Sequence, residues 1–386
     1  MKKIGIITYF YYYNYGTMLQ AYALQFAMEK HGRGNYSAEI IDCRFDEKKL
    51  TQLDILRIRS RLIFYYIFGI RRVIKRAKEK RIYANYEAKT SLRKRFIEKF
   101  LEDYCHLTPK TYGRSDDLYP APPIFDIYVT GSDQTWSPKV GLRDSLFLGF
   151  APDDKVRAAY APSIGVASYS EEEKQYVKEH LRKYQFVSCR EKYGTDNLNP
   201  LSPVSVETVL DPTLLVRSDE WRKIAVKPSI EGKYILCYFI GDRQYYRDYA
   251  EQLSKQLNLP LVFIPVSFLD FSHNENLKWE TGPREFLGLI DNAEVVLTDS
   301  FHGTIFSINL NKTFYSFIKH SGKKAMDNMR IVDILERMNL LERLKESYDG
   351  GDIAFSPIDY SGTNSLLQAE RANSESYIEK ILKSVE

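Results

Sequence analysis

Short apolar runs and helical patterns alternate along the first part of the chain. "KIGIITYF" is short and mainly apolar, so it predicts a buried strand. "TMLQAYALQFAMEKHG" is apolar on almost every side and stops at Gly32, which predicts a buried helix. The same alternation of strands and helices continues through "SAEIIDC", "FDIYVTGSDQTW", "KVRAAYAPSIG", "EEEKQYVKEHLRKY" and "QFVSCREKYGTDNL".

A segment rich in proline and serine, "NPLSPVSVETVLDPTLL", interrupts this pattern and predicts a domain boundary between about residues 198 and 230. Beyond it the alternation restarts. The strands predicted there are "KYILCYFIG", "LPLVFIPV", "EVVLTD" and "KTFYSFI". The helices predicted there are "RQYYRDYAEQLSKQLN", "GPREFLGLIDNA", "HGTIFSINLN", "DNMRIVDILERMN" and "NSLLQAERANSESYIEKILKSV".

Strand-helix alternation with short connections is typical of parallel, doubly wound sheets. We therefore predict an α/β fold with two Rossmann-like domains, because 386 residues exceed one ordinary core. The N-terminal domain is predicted at residues 1–205, the C-terminal domain at 206–345, and a tail with a terminal helix at 346–386. Two such domains place a ligand cleft between the carboxyl ends of their strands.

The net charge of +4 hides a local excess of basic residues. Between Lys48 and Lys99 there are 17 Lys or Arg and 4 acidic residues, so the rest of the chain is net negative. One localised basic face argues against a protein that coats nucleic acid. The segment 48–104 lacks proline and is predicted to be a helical insertion. Two alternatives stay open for it: a helix packed on the first domain with a solvated basic face, or a peripheral membrane contact.

Motifs and composition exclude several classes of protein. The four cysteines lie far apart without CxxC spacing, which indicates a reduced, cytoplasmic protein without a zinc site. The longest apolar run, "LIFYYIFGI", is far shorter than the roughly 20 residues that a spanning helix needs. Neither GxGxxG nor GxxxxGK[ST] occurs, which excludes common NAD, FAD and ATP sites. We expect no metal and no organic cofactor.

Candidate ligand-binding residues follow the predicted strands of the first domain. Asn14 and Gly16 stand at a helix start, where free N–H groups favour anionic or hydroxylated ligands, although Gly16 could simply permit a tight turn. Arg190 in "SCREKYG" also follows a strand, and its guanidinium suits phosphate or carboxylate. A salt bridge to Glu191 is the alternative for Arg190.

The stretch "VTGSDQTWSP" is a strand that ends in consecutive polar or small residues. At the carboxyl end of a parallel strand, Ser132, Asp133 and Gln134 would face the cleft. Trp136 could stack on a sugar ring, and Asp133 could instead cap a helix.

The strand "EVVLT" should deliver Ser300 and His302 to the rim of the cleft in the second domain. Gly303 would admit a close approach of the backbone, and the dipole of the following helix favours anions. A lone histidine is more often structural, but loops at this edge of a parallel sheet carry function. The next loop is rich in cations, which implies an anionic substrate. Its charged residues are Lys319, His320, Lys323, Lys324 and Arg330, with one acid, Asp327.

Blocks distributed in order over roughly residues 4 to 340 resemble the polysaccharide pyruvyl transferase family. They are "NYGTMLQAYAL", "VTGSDQTWSP", "SCREKYG", "VLDPTLL", "GPREFLGLI" with "VVLTDSFHGTIFSI", and "NMRIVDILERMNL". The resemblance implies a GT-B-like architecture and transfer of the carboxyvinyl group of phosphoenolpyruvate to a saccharide, as a pyruvate ketal, in cell-surface (capsule or exopolysaccharide) biosynthesis. It also implies an acceptor in the N-terminal domain, often lipid-linked, and phosphoenolpyruvate in the C-terminal domain. Such an acceptor would place the protein in the cytoplasm, at the inner face of the plasma membrane.

In that family an Arg-x-His element helps to bind phosphoenolpyruvate, and the histidine is the proposed acid. The corresponding triplet here is Ser300, Phe301 and His302, so the histidine carries over and the arginine does not. His302 is thus expected to donate a proton or to bind phosphate, and Asp133 to act as the base. The candidates to replace the missing arginine are Arg190, Lys319, Lys323 and Arg330.

Two rival functions stay open on the sequence. A GT-B-type nucleotide-sugar glycosyltransferase would usually offer an acidic residue to the ribose. Glu285 could be that residue, or it could favour the N-terminus of the helix in which it lies. A saccharide-binding protein of the same fold without catalytic activity is the other alternative.

Overall fold

The computed structural model describes most of the chain. The described residues are 1–11, 14–45, 91–266, 270, 276–319 and 328–385. Most of the predicted basic insertion at 48–104 lies outside them, as does Lys323 of the cationic loop. The last part of that insertion, residues 91–104, is a helix, named α2 below.

A parallel sheet forms the core of the first half of the chain. Its strands lie in the order β2-β1-β3-β4. They are β1 (Lys2–Ile7), β2 (Tyr36–Ile40), β3 (Ile127–Thr130) and β4 (Val156–Ala159). Every residue of β3 is buried, as expected for a strand covered on both faces.

A further parallel pair continues this sheet beyond β4. It consists of β5 (Val187–Cys189) and β6 (Val206–Thr208). The amide of Ala159 in β4 donates to the carbonyl of Phe186, just before β5, over 2.9 Å. The helices of this half that cover the sheet are α1 (Tyr15–Gly32), α2, α3 (Glu171–Leu181) and α4 (Lys192–Leu198).

A second parallel sheet forms the core of the other half, in the order β11-β10-β9-β7-β8. Its strands are β7 (Ile235–Tyr238), β8 (Leu261–Phe263), β9 (Val295–Thr298), β10 (Thr313–Phe317) and β11 (Leu344–Lys345). The helices from the linking segment to the chain end are α5 (Pro212–Leu215), α6 (Ser218–Ile224), α7 (Gln244–Leu257), α8 (Pro283–Asn292), α9 (Phe301–Asn309), α10 (Met329–Arg337) and α11 (Tyr360–Lys383). Short 3-10 helices occur at Ser115–Leu118, Asp144–Phe147 and Leu341–Arg343.

Both sheets follow the same winding rule. In each, the first strand along the chain has the second on one side and the third on the other, so the winding reverses beside β1 and beside β7. Ligands of open α/β sheets bind outside the carboxyl ends of the strands at this reversal. The predicted α/β fold, with two doubly wound Rossmann-like bodies facing a cleft in the GT-B-like manner, is confirmed.

The terminal helix α11 returns to the first sheet. The hydroxyl of Tyr377 donates to the carbonyl of Ala159 over 2.9 Å. The hydroxyl of Tyr36 donates to the carbonyl of Leu382, in α11, over 2.6 Å. Strand β6 belongs to the first half of the chain because it pairs with β5, although it begins after the predicted domain limit at residue 205. Among the helices of the described residues, none combines the length and hydrophobicity that a bilayer crossing requires.

Candidate active site

A cavity of about 380 Å³ lies where the carboxyl ends of the two sheets face each other. This volume is typical of small-molecule sites. The residues around it come from both halves of the chain, and seven of them were predicted from the sequence. The lining consists of Tyr9, Asn14, Thr17, Asp133, Gln134, Val140, Arg143, Ile240, Ser300, Phe301, His302, Lys319 and Arg330.

The two helices that follow β1 and β9 both begin at the cavity. Asn14 caps α1, with its side-chain oxygen accepting from the amide of Gly16 over 3.0 Å. Ser300 caps α9 in the same way, accepting from the amide of Gly303 over 3.3 Å. Each cap satisfies one of the free amides, and the others leave a partial positive charge at the helix end. Two helix N-termini therefore favour an anion in this cavity.

His302 lies in the first turn of α9 and is only 6% exposed. Its Nε2 atom is 3.8 Å from Oδ2 of Asp211, a buried carboxylate at the start of α5. Burial lowers the pKa of His302 below its ordinary value of 6.5, while Asp211 and Asp133 act in the opposite direction. The imidazole of the free protein is therefore neutral at neutral pH.

Gly16 lies behind the imidazole instead of lining the cavity. A methyl group at position 16 would overlap the ring of His302. The glycine predicted to admit a ligand thus admits the histidine side chain.

We expect Gly16→Ala to lower the free energy of unfolding by about 1–3 kcal/mol, because an extra methyl group in a packed site forces a shift. It should also reduce activity by displacing His302. Chemical denaturation measures the first effect. Gly362→Ala, in a helix with open space around the glycine, is the matched control and should be neutral or slightly stabilising. Equal stability of both variants would contradict the packing of Gly16 on His302.

Asp133 projects from the loop after β3 in a left-handed backbone conformation, with φ of 69°. Its Oδ2 accepts from the hydroxyl of Thr17 over 2.8 Å, and its Oδ1 accepts from the amide of Gln134 over 2.9 Å. Asp133 is therefore held in the cavity wall by contacts from α1 and from its own loop. The alternative that it caps a helix is not what the structure shows.

Among the described residues, three cations line the cavity: Lys319, Arg330 and Arg143. The first two were predicted, and Arg143 was not. The guanidinium of Arg330 lies 5.8 Å from the ring centre of Phe301, which also lines the cavity. Burial lowers the pKa of Arg330, but an arginine in proteins stays charged at neutral pH. Asp133 is the one carboxylate that the described part of the chain contributes to this lining, so the cavity favours anionic ligands.

The prediction that Trp136 stacks on a sugar is wrong. Its side chain is fully buried and stacks on Phe147, with ring centres 5.0 Å apart. Its indole N–H donates to the carbonyl of Leu146 over 3.0 Å. The loop after β3 turns back into the core at this point, so the tryptophan fills the first half instead of the cleft.

Three further predicted residues lie behind the cavity wall. Ser132 is buried and donates to Asp211 over 3.1 Å. Gly303 packs against Thr298, where a methyl group would overlap the threonine hydroxyl, so it serves helix-strand packing instead of ligand approach.

Arg190 is buried as well. It forms the salt bridge to Glu191 that was the alternative to a ligand contact. Its guanidinium pairs with Glu191 over 3.1 Å and with Asp211 over 2.8 Å. It also lies 4.2 Å from the ring centre of Phe301. Arg190 thus supports the cavity wall from behind, and its Nη2 atom finds no hydrogen-bond partner among the described residues.

Several residues around the site were missed on the sequence, above all Asp211. It lies in "VLDPTLL", where an aspartate directly before a proline is a signal for a helix start. The structure shows that cap, with Asp211 accepting from the amide of Thr213 over 3.0 Å. Glu285 lies in the first turn of α8, where its carboxylate accepts from the amide of Gly282 over 3.0 Å. This contact agrees with the alternative that Glu285 stabilises a helix N-terminus.

The fold and the cavity define a two-body α/β protein of the GT-B-like class, with a cleft suited to an anionic ligand. The profile of the polysaccharide pyruvyl transferase family matches residues 14–321. The chain therefore belongs to the polysaccharide pyruvyl transferase family.

No curated protein matches the sequence significantly. Among solved structures, the chain is similar to the UDP-GlcNAc 2-epimerase of Methanocaldococcus jannaschii in complex with UDP-GlcNAc and UDP (14% identity, 96% of this chain and 99% of that one, TM-score 0.46). It is also similar to the UDP-GlcNAc 2-epimerase of Neisseria meningitidis bound to UDP-GlcNAc (12% identity, 99% of this chain and 94% of that one, TM-score 0.45). A third similar structure is the E. coli heptosyltransferase WaaC (9% identity, 83% of this chain and 91% of that one, TM-score 0.37). Because each score is below 0.5, the fold class rests on the strand order of this chain.

Proposed function

We propose that this protein transfers the carboxyvinyl group of phosphoenolpyruvate to hydroxyls of a saccharide and forms a pyruvate ketal. The observation that carries the proposal is a single cavity that holds an imidazole and a carboxylate beside three cations and two helix N-termini. Phosphoenolpyruvate carries a phosphate and a carboxylate, so it needs such a concentration of positive charge. The family to which the chain belongs supports the same reaction.

The reaction needs a proton donor for C3 of phosphoenolpyruvate and an acceptor for the protons that two sugar hydroxyls lose. A proton adds to C3 of phosphoenolpyruvate, so C2 becomes electrophilic and is attacked by the first sugar hydroxyl, which loses its proton. The bond from C2 to the phosphate oxygen then breaks. A second hydroxyl attacks C2 and loses its proton, which closes the ketal. One hydroxyl proton replaces the proton used at C3, and the other leaves with phosphate.

We assign these steps to the residues that line the cavity. His302 would donate the proton to C3, after the charge of the bound anion has raised the proton affinity of the imidazole. Asp133 would accept the hydroxyl proton. Arg330 and Lys319, at the second sheet, would hold the phosphate and the carboxylate. Lys323 stays a candidate outside the described residues.

The saccharide would enter from the first half of the chain, past Asn14 and Gln134 in the cavity wall. We place it in cell-surface polysaccharide biosynthesis and propose a lipid-linked form, in keeping with the family. All four cysteines are buried and unpaired, which fits a reducing compartment. On this proposal the basic segment 48–104 makes a peripheral contact with the inner membrane face. Its last part, α2, packs in the core through Ile97, Phe100 and Leu101, so the contact would fall to the residues ahead of α2.

Ligand-dependent thermal stability separates this function from its rivals. We expect phosphoenolpyruvate to stabilise the protein, by about 2.7 kcal/mol at a concentration near 100 times Kd, and UDP and GDP to have no effect. Selective stabilisation by a nucleotide would favour the glycosyltransferase, and no response to any donor would favour a saccharide-binding protein. The direct test is incubation with phosphoenolpyruvate and lipid-linked sugars. The product should gain the mass of one ketal-linked pyruvate, with one phosphate released for each.

A further inference from the structure

Asp211 is held more firmly than a helix cap requires. Its Oδ1 accepts from the amide and the hydroxyl of Thr213, over 3.0 and 2.8 Å. Its Oδ2 accepts from Arg190 over 2.8 Å and from Ser132 over 3.1 Å. The residue is almost completely buried. Four donors from three parts of the chain therefore fix this carboxylate in one orientation, with Oδ2 toward His302.

The imidazole of His302 turns its Nε2 atom toward that carboxylate. Nε2 is buried and has no hydrogen-bond partner among the described residues, and Oδ2 of Asp211 is 3.8 Å away. A proton on Nε2 would point at a negative charge, which is favourable, whereas a lone pair there would be repelled. The other ring nitrogen, Nδ1, lies on the side of Gly16. Because Nε2 is buried against Asp211, Nδ1 is the nitrogen left to exchange a proton with a ligand in the cavity that His302 lines.

The other charged groups around His302 leave this effect in place. Asp133 after β3 adds negative charge, while Arg190 after β5 and Arg330 of α10 add positive charge. Arg190, however, is shared between Asp211 and Glu191, so this buried group of three residues carries a formal charge of −1. The carboxylate that faces Nε2 thus shares the charge of Arg190 with Glu191, and the buried group beside the ring keeps a net negative formal charge.

We infer that Asp211 is a positioning residue for His302: its fixed carboxylate keeps a proton on Nε2 and so leaves Nδ1 to exchange a proton with the ligand. In the neutral ring Nδ1 is then an acceptor, and in the protonated ring it is the donor. The inference rests on the proposed function only in taking His302 as the residue that meets the ligand.

The test is the tautomer of His302 in the free protein. Two-bond 1H-15N correlation spectra of histidine-labelled protein distinguish a protonated ring nitrogen from an unprotonated one, and the chain has only six histidines. The signals of His302 are those that disappear in His302→Gln. We expect the Nε2–H tautomer above the pKa of the ring. The Nδ1–H tautomer would overturn the inference.

Variants then identify Asp211 as the cause. Asp211→Asn removes the charge at nearly constant shape, and we expect the pKa of His302 to fall by about one pH unit. The matched control is Thr213→Val, which removes a donor to the same carboxylate on the side away from His302 and should leave the Nε2–H tautomer unchanged. An unchanged pKa of His302 in Asp211→Asn would also overturn the inference. If that variant does not fold, the wild-type tautomer still decides.

These spectra contain no substrate, so the two proposals fail separately. If His302 is the Nε2–H tautomer and the protein does not turn over phosphoenolpyruvate, the role of Asp211 stands and the proposed function is wrong. If the protein turns over phosphoenolpyruvate and His302 is the Nδ1–H tautomer, the proposed function stands and the role of Asp211 is wrong.

Discussion

His302→Gln is expected to reduce the rate of phosphate release from phosphoenolpyruvate, in the presence of acceptor, by about 100- to 10,000-fold. Glutamine keeps a polar side chain in the cavity but cannot donate a proton to C3. The effect should therefore lie mainly in kcat, with KM for phosphoenolpyruvate changed far less. A continuous assay of released phosphate measures both constants.

The pH dependence of the wild type should follow from the protonation of the same ring. Burial lowers the pKa of His302 in the free protein, so the protonated fraction rises as the pH falls toward a value below 6.5. The value of kcat/KM, which reports the free enzyme, should increase in that direction. In the complex, the bound anion raises the pKa, so kcat should stay constant to a higher pH. His302→Gln should lose this dependence.

The matched control is His106→Gln, which changes a histidine with a largely exposed side chain. It should keep wild-type activity and the wild-type pH profile. Activity of His302→Gln within threefold of the wild type would remove His302 from the chemistry and leave the imidazole a structural role at the start of α9.

Arg330→Ala should lower kcat/KM for phosphoenolpyruvate by about 10- to 150-fold, the loss expected for one hydrogen bond to a charged group. Arg330 lines the cavity beside Phe301, whereas Arg190 pairs with two buried carboxylates. We therefore expect Arg330 to supply the positive charge that the family arginine supplies elsewhere. The effect should lie mainly in KM, because the guanidinium would bind the anion before and during the reaction.

A double variant, Ser300→Arg with Arg330→Ala, tests directly whether Arg330 takes the place of the family arginine. An arginine at position 300 would stand in the cavity wall and should recover part of the lost affinity, although the helix cap of Ser300 is sacrificed at about 1 kcal/mol. Arg182→Ala, at an exposed position directly after α3, is the control and should bind phosphoenolpyruvate like the wild type. An unchanged KM in Arg330→Ala would show that Lys319 and the helix ends suffice.

Residues at strand ends were predictable because their position depends on the local pattern. Apolar runs such as "EVVLT" identify strands, and the residues that follow parallel strands meet at one edge of the sheet. Asp133, Ser300 and His302 were predicted on this basis, and all three line the cavity. Cation-rich composition after the next strand found Lys319 and Arg330 in the same way.

The strand pattern does not determine which way a side chain turns after the strand ends. Trp136 follows Asp133 by three residues, yet it enters the core and not the cleft. Arg190 follows a strand, as a phosphate ligand would, but its guanidinium pairs with two buried carboxylates. Such pairings depend on which distant segments meet, and a single strand or helix contains no information about them.

The sequence by itself determined the two parallel sheets, their cleft and the histidine at its edge, because hydrophobic periodicity and strand polarity are local properties that survive in any packing. Only the tertiary structure decided what surrounds that histidine. Asp211 and Ser132, 79 residues apart, meet behind it, and Thr17 reaches Asp133 across 116 residues of chain. These contacts form because burial of polar groups requires partners, and the partners come from whatever segments the two folded bodies bring together.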